Sequence, residues 1–195
     1  MKSFLIFLVA GLLVACGKTE APPERAQTAD GEYLLEDVPG TTVKLALKKD
    51  AQGKILEQGF VDNGVKTGVW MTYDKSEEFP KTLMSYVNGI AEGPYFEFND
   101  RGQIELKANY KNNKLDGPWG RYSFGRPLST AGYKNGELDG IYREFDMREG
   151  KIQKEIYYKD GKEDGPYRYF NDKGEVTVEY NFKNGEKVGG GMVAH

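Results

Sequence analysis

Thiols and imidazoles are almost missing from this chain of 195 residues, which has one cysteine, Cys16, and one histidine, His195, its last residue. A single cysteine excludes a disulfide within the chain, although an exported protein would meet an oxidising compartment. Nucleophile–histidine pairs and His/Cys metal sites are excluded on the same ground, so no catalytic residue, metal or cofactor is expected. A long apolar run is also lacking. Phe4 to Val14 (FLIFLVAGLLV) is the longest, well short of the ~20 residues that cross a bilayer as a helix. A positive excess is missing too, with 27 basic residues against 30 acidic ones. That balance offers no basis for binding nucleic acid or anionic lipid in general.

What is present at the N-terminus has a consistent reading. Met1, Lys2 and Ser3 make a short charged n-region, and the apolar run has the length of a signal h-region. It ends in Leu13-Val14-Ala15-Cys16, the lipobox pattern of bacterial lipoproteins. The expectation is a signal peptide over 1–15, cleaved before Cys16, with Cys16 lipidated as the membrane anchor. Two or three acyl tails hold stably where one binds reversibly, because each buried methylene contributes about 0.8 kcal/mol. Losing Lys2 takes the 27 basic residues to 26 against 30 acidic, a net charge of −4. Residues 16–30 continue as GKTEAPPERAQTAD after the cysteine, with no aromatic or β-branched aliphatic residue, and are expected to be a lipidated flexible tether. Residue 17 is Gly, not the Asp that favours inner-membrane retention in enterobacteria-like sorting. The expected location is therefore the cell envelope, at the outer membrane.

The body is repetitive. An aromatic or apolar residue recurs at Val61, Tyr86, Tyr110, Tyr133, Tyr158 and Phe182, at spacings of 25, 24, 23, 25 and 24. Two residues after each stand Asn63, Asn88, Asn112, Asn135, Asp160 and Asn184, and then Gly64, Gly89, Asn113, Gly136, Gly161 and Gly185. Four further on come Gly68, Gly93, Gly117, Gly140, Gly165 and Gly189. Aromatics follow two residues later (Trp70, Tyr95, Trp119, Tyr142, Tyr167) and three after that (Tyr73, Phe98, Tyr122, Phe145, Phe170). Asn-Gly and Asp-Gly between apolar runs predict type I′ hairpins, since both central residues need positive φ. Period-two runs such as Ile104, Leu106, Ala108, Tyr110 predict half-buried antiparallel strands. NDRG (Asn99 to Gly102) and NDKG (Asn171 to Gly174) predict the second, longer turn of each repeat.

The expected fold is all-β: an elongated, twisted antiparallel meander of repeated hairpins, ten to twelve strands in all. Residues 31–58 read as degenerate capping strands, 59–191 as the hairpin repeats and 192–195 as a disordered tail. A two-residue loop at Asn112-Asn113 sets Tyr110 opposite Leu115, Ala108 opposite Gly117 and Leu106 opposite Trp119. Trp119 and Tyr122 are three apart, so either a bulge follows Gly117 or both faces are partly apolar.

These columns resemble the MORN-type repeat, in the bacterial variant described as an antitoxin component. YKNGELDGIYREF from Tyr133 and YKDGKEDGPYRYF from Tyr158 carry the whole pattern, and the resemblance covers about residues 50 to 191. Departures are Val61 for the aromatic, Asn113 for Gly, the longer KSEEFP loop (Lys75 to Pro80) and Gly191 in an aromatic column. The resemblance implies a β-scaffold for protein contacts.

Three readings of function remain. The first is a membrane-anchored, non-enzymatic protein-interaction module with an unidentified protein partner, the candidate binding stripe being Trp70, Tyr95, Trp119, Tyr142 and Tyr167. Those same residues also read as the core of a thin sheet. The second is an immunity or antitoxin component that neutralises a toxin. The third is a protein that binds or cleaves envelope glycans through carboxylates such as Asp139 and Glu144. The acidic column Glu92, Asp116, Asp139, Asp164 reads more simply as turn or bulge chemistry. The lysines at Lys111, Lys134, Lys159 and Lys183 read as ordinary protection of strand ends.

Overall fold

A computed structural model describes residues 31–74 and 78–194. The signal peptide, Cys16, the tether, His195 and the first three residues of the KSEEFP loop (75–77) lie outside those residues. Among the described residues there is no helix. All strands belong to one antiparallel sheet.

The strands are β1 (Leu34–Asp37), β2 (Val43–Lys49), β3 (Ile55–Asp62), β4 (Val65–Tyr73), β5 (Pro80–Val87), β6 (Ile90–Phe98), β7 (Ile104–Lys111) and β8 (Lys114–Leu115). They continue as β9 (Gly117–Ser123), β10 (Arg126–Lys134), β11 (Glu137–Leu138), β12 (Gly140–Phe145), β13 (Ile152–Lys159), β14 (Lys162–Phe170), β15 (Val176–Lys183) and β16 (Glu186–Met192). The strands form an open meander in chain order, with β7 paired to both β8 and β9 and β10 paired to both β11 and β12. The 16 segments exceed the ten to twelve expected, for three reasons. The opening residues form β1 and β2 as full strands; the last half-repeat forms β16; and interruptions at Asp116 and Asp139 split two strands into β8/β9 and β11/β12. The strand β3 also runs through the expected cap boundary at 58/59, and β16 extends to Met192.

The turns follow from side-chain chemistry. Asn63, Asn88, Asn112, Asn113, Asn135, Asp160 and Asn184 all have φ between 48° and 63°. Asn and Asp tolerate this left-handed region best among residues with a Cβ. On the opposite edge, Asn99 Oδ1 accepts the backbone N–H groups of Arg101 and Gln103, both at 3.0 Å. Asp50 and Asn171 hold their loops in the same way.

The expected register holds at Tyr110–Leu115 and then fails: Lys107 pairs with Gly120 and Leu106 with Arg121, not with Trp119. Two extra residues on the second strand cause the shift. The same insertion recurs where Tyr86–Ala91 is followed by Met84–Tyr95, and where Tyr158–Glu163 is followed by Ile156–Tyr167. Glycine sits at each of these bulges with φ from 64° (Gly68) to 126° (Gly165), backbone that a side chain would strain.

Cross-strand partners share a face. On the first face each bulge glycine pairs with the aromatic of the next repeat: Gly68 with Tyr86, Gly93 with Tyr110, Gly117 with Tyr133, Gly140 with Tyr158 and Gly165 with Phe182. Trp70, Tyr95, Trp119, Tyr142 and Tyr167 occupy the same face. Tyr73 and Tyr122 lie on the other: Tyr73 accepts a hydrogen bond from Gln58 at 2.7 Å, and Tyr122 covers Gly120. The bulge and the two-sided apolarity are therefore both real.

A sheet without a second layer buries little. Among the described residues the buried apolar side chains are Ala46, Leu47, Val61, Trp70, Ala91, Ala108, Ala131 and Ile156. Their densest cluster is Ala46, Val61 and Trp70, with Tyr33 and Tyr86 against it. The Trp70 indole lies flat on Gly59, where even a methyl group would clash with the ring, and donates to the Phe60 carbonyl at 3.0 Å.

Candidate functional site

The five expected stripe residues divide. Trp70 is 2% exposed and belongs to the core. Tyr95, Trp119, Tyr142 and Tyr167 are half-buried on the first face. Each packs on the aromatic of the following repeat, with ring centroids at 5.8 Å (Tyr95–Tyr110), 6.3 Å (Trp119–Tyr133), 6.5 Å (Tyr142–Tyr158) and 5.8 Å (Tyr167–Phe182). Such pairs contribute about 0.5–1.5 kcal/mol each beyond the area they bury. The row is thus at once the cement between repeats and a partly solvent-facing aromatic surface.

The phenols are held neutral. Burial, and then donation to Glu144 at 2.9 Å, pushes the Tyr142 hydroxyl up to about 12. Burial and a hydrogen bond to Glu97 raise Tyr95 likewise, and burial with Tyr169 raises Tyr167. Lys66 lies over the Trp70 ring at 3.8 Å and pairs with Glu57 at 2.7 Å, so this aromatic cage is filled by the chain's own ammonium.

The acidic column has a different task. Glu92 accepts the backbone N–H of Asn112 at 2.9 Å, Asp116 that of Asn135 at 3.1 Å, Asp139 that of Asp160 at 3.3 Å and Asp164 that of Asn184 at 3.3 Å. Each bulge carboxylate caps the turn of the next repeat, about 20 residues on. Glu144 is held by Tyr142 and by Lys154 at 3.1 Å. Asp139 and Glu144 therefore serve separate structural partners. Of the lysine column, Lys183 pairs with Asp164 at 3.0 Å, and Lys111, Lys134 and Lys159 are exposed. Among the described residues no group of three or more His, Cys, Asp or Glu side chains could hold a metal ion.

One feature escaped the sequence reading. The β9–β10 hairpin closes on Phe124-Gly125, with Phe124 at φ 48°. Among the described residues, every other one with a side chain in that conformation is Asn or Asp. A bulky aromatic there is strained by about 1–2 kcal/mol. Phe124 is nonetheless 71% exposed, so its ring returns little packing. Met147, 61% exposed at the tip of the neighbouring loop, lines the same shallow hollow with Phe124 and Leu128. Arg126 ties the two loops together, its Nη1 donating to the Arg148 carbonyl at 2.6 Å and the Met147 carbonyl at 3.5 Å. The available signal was Ser-Phe-Gly-Arg at a turn position, with no Asn or Asp before the Gly.

The fold defines a class, a single-sheet all-β repeat protein. No family model and no curated protein matches the chain. Among solved structures it is similar to a crystal structure of the S. aureus TarM G117R mutant in complex with Fondaparinux, alpha-GlcNAc-glycerol and UDP. Identity is 10%, the match covers 69% of this chain and the TM-score is 0.30. The chain spans 21% of that structure's length, and a likeness this slight carries no argument about activity.

Proposed function

We propose that this chain is a lipid-anchored, non-enzymatic protein-interaction module of the bacterial cell envelope. The observation that carries the reading is the first face, where Tyr95, Trp119, Tyr142 and Tyr167 stay half-exposed in a sheet that no second layer covers among the described residues. Aromatic side chains of this kind supply large contact area at low entropic cost, and they anchor protein interfaces. Asp139 and Glu144, the carboxylates named for a hydrolase, are engaged in turn capping and pairing, which favours binding as the use of the surface. The lipobox at Cys16 and the MORN-type resemblance support the same view.

Two measurements test it. Metabolic labelling with a palmitate analogue should tag the wild-type chain and not Cys16→Ser. Capture from envelope extracts should recover a discrete protein, reduced by Trp119→Ala with Tyr142→Ala. Absence of label, or repeated failure to capture with a folded chain, contradicts the proposal.

A further inference from the structure

We infer that the Phe124–Met147 tip is a docking knob for a partner protein whose surface offers an apolar pocket rimmed by carboxylates. The inference rests on the interaction-module reading and names the place and chemistry of contact. Three observations converge. The first is strain: six of the seven two-residue turns with positive φ begin with Asn or Asp, and the seventh begins with Phe124, without burial in return. Strain of this kind persists where it serves a use other than stability. The second is preorganisation. Arg126 bonds two carbonyls of the adjacent loop, so Phe124 and Met147 are presented together from a fixed scaffold, and little ordering remains to be done on binding.

The third is charge. Arg126 lines the same hollow as Phe124 and Met147, Arg148 follows Met147 in the chain, Arg121 lies three residues before Phe124, and all three are exposed. None makes an ion pair with a carboxylate among the described residues. Asp146 accepts the backbone N–H groups of Arg148 and Glu149 and feels the Arg148 charge beyond ion-pair distance, and Glu149 pairs with Lys151 at 2.6 Å. The tip is thus apolar with a guanidinium rim on a chain that is net negative. Arginine beside an aromatic and a methionine is the composition of a protein hot spot. A single Phe on an acidic molecule is a poor membrane anchor, so an acidic protein pocket fits better than a lipid surface.

The test uses the full chain with its own signal, carrying photoreactive benzoylphenylalanine in place of Phe124 or, separately, of Tyr169 on the first face. Irradiated cells should yield one protein adduct from position 124, mapping to a peptide rich in Asp and Glu. Arg121→Glu with Arg148→Glu should lower its yield at least about tenfold, a hot-spot-sized loss, whereas the two Arg→Lys changes should keep most of it. An adduct from 124 on a peptide without acidic excess, or on phospholipid, overturns the inference. Adducts from 169 with none from 124 overturn it and leave the interaction module standing. No protein adduct from either position defeats both.

Discussion

The second face of the sheet is built differently at its two ends. From β2 to β6 one continuous cross-strand row reads Leu47, Gln58, Met71, Leu83, Phe96. From β12 to β15 the equivalent row reads Arg143, Glu155, Arg168, Glu179. There Arg143 bonds Glu155 at 2.8 Å, and Arg168 reaches Glu155 at 3.4 Å and Glu179 at 2.6 Å. The first face changes less, with an aromatic pair between successive repeats from β6 to β15 and Trp70 packed on Tyr33 at the apolar end. One face therefore carries the repeat, and the other is free to be apolar or ionic provided neighbours match across strands. The hairpin bearing Phe124 sits where one regime gives way to the other.

That contrast can be broken from either side. The largest effect belongs to the apolar end: Trp70→Ala removes the indole from the one dense cluster and should cost about 3–5 kcal/mol by denaturant unfolding. Hydrogen exchange should accelerate first in β2 to β5. At the ionic end, Glu155→Ala strips both arginines of the one carboxylate they share, a residue only 6% exposed. The expected loss is about 1–3 kcal/mol, with exchange rising in β12 to β15. Because Arg143 and Arg168 are about a third exposed, 1 M salt should weaken this end and spare the other.

The first face predicts a response shared by both ends. Tyrosines 33, 86, 95, 110, 142, 158 and 167 are all held above the ordinary phenol value of 10.0, with burial the leading cause. A raised folded value means that the unfolded chain ionises first. The tyrosines' contribution to stability is then constant below about pH 10 and falls between there and about pH 12, where Tyr142 titrates. Phenolate absorbance should report this, with both ends loosening together.

Much of the fold was legible because its signals are local. An Asn-Gly pair needs nothing beyond its own φ angles, so six of the seven two-residue turns and the meander could be read directly. The two-residue bulge was legible only as one of two alternatives at Gly117, since Asp116 or Asp139 finds its hydrogen-bond partner in the next repeat's turn, and no local rule points there. The split of the aromatic columns between faces was the other alternative, read from the three-residue spacing of Trp119 and Tyr122. The buried Glu155 looked like any other charged strand residue until its two arginines were placed beside it. Phe124 was visible only as an exception to a rule that the other turns establish.

In the proposed docking role, Phe124 sacrifices stability for contact. Phe124→Asn measures both at once in the full chain. Asn relieves the strained turn, so the unfolding midpoint should rise, by about 1 kcal/mol in free energy, while capture of the protein partner collapses. A lower midpoint, or a stabilised chain that still captures its partner undiminished, would contradict the claim.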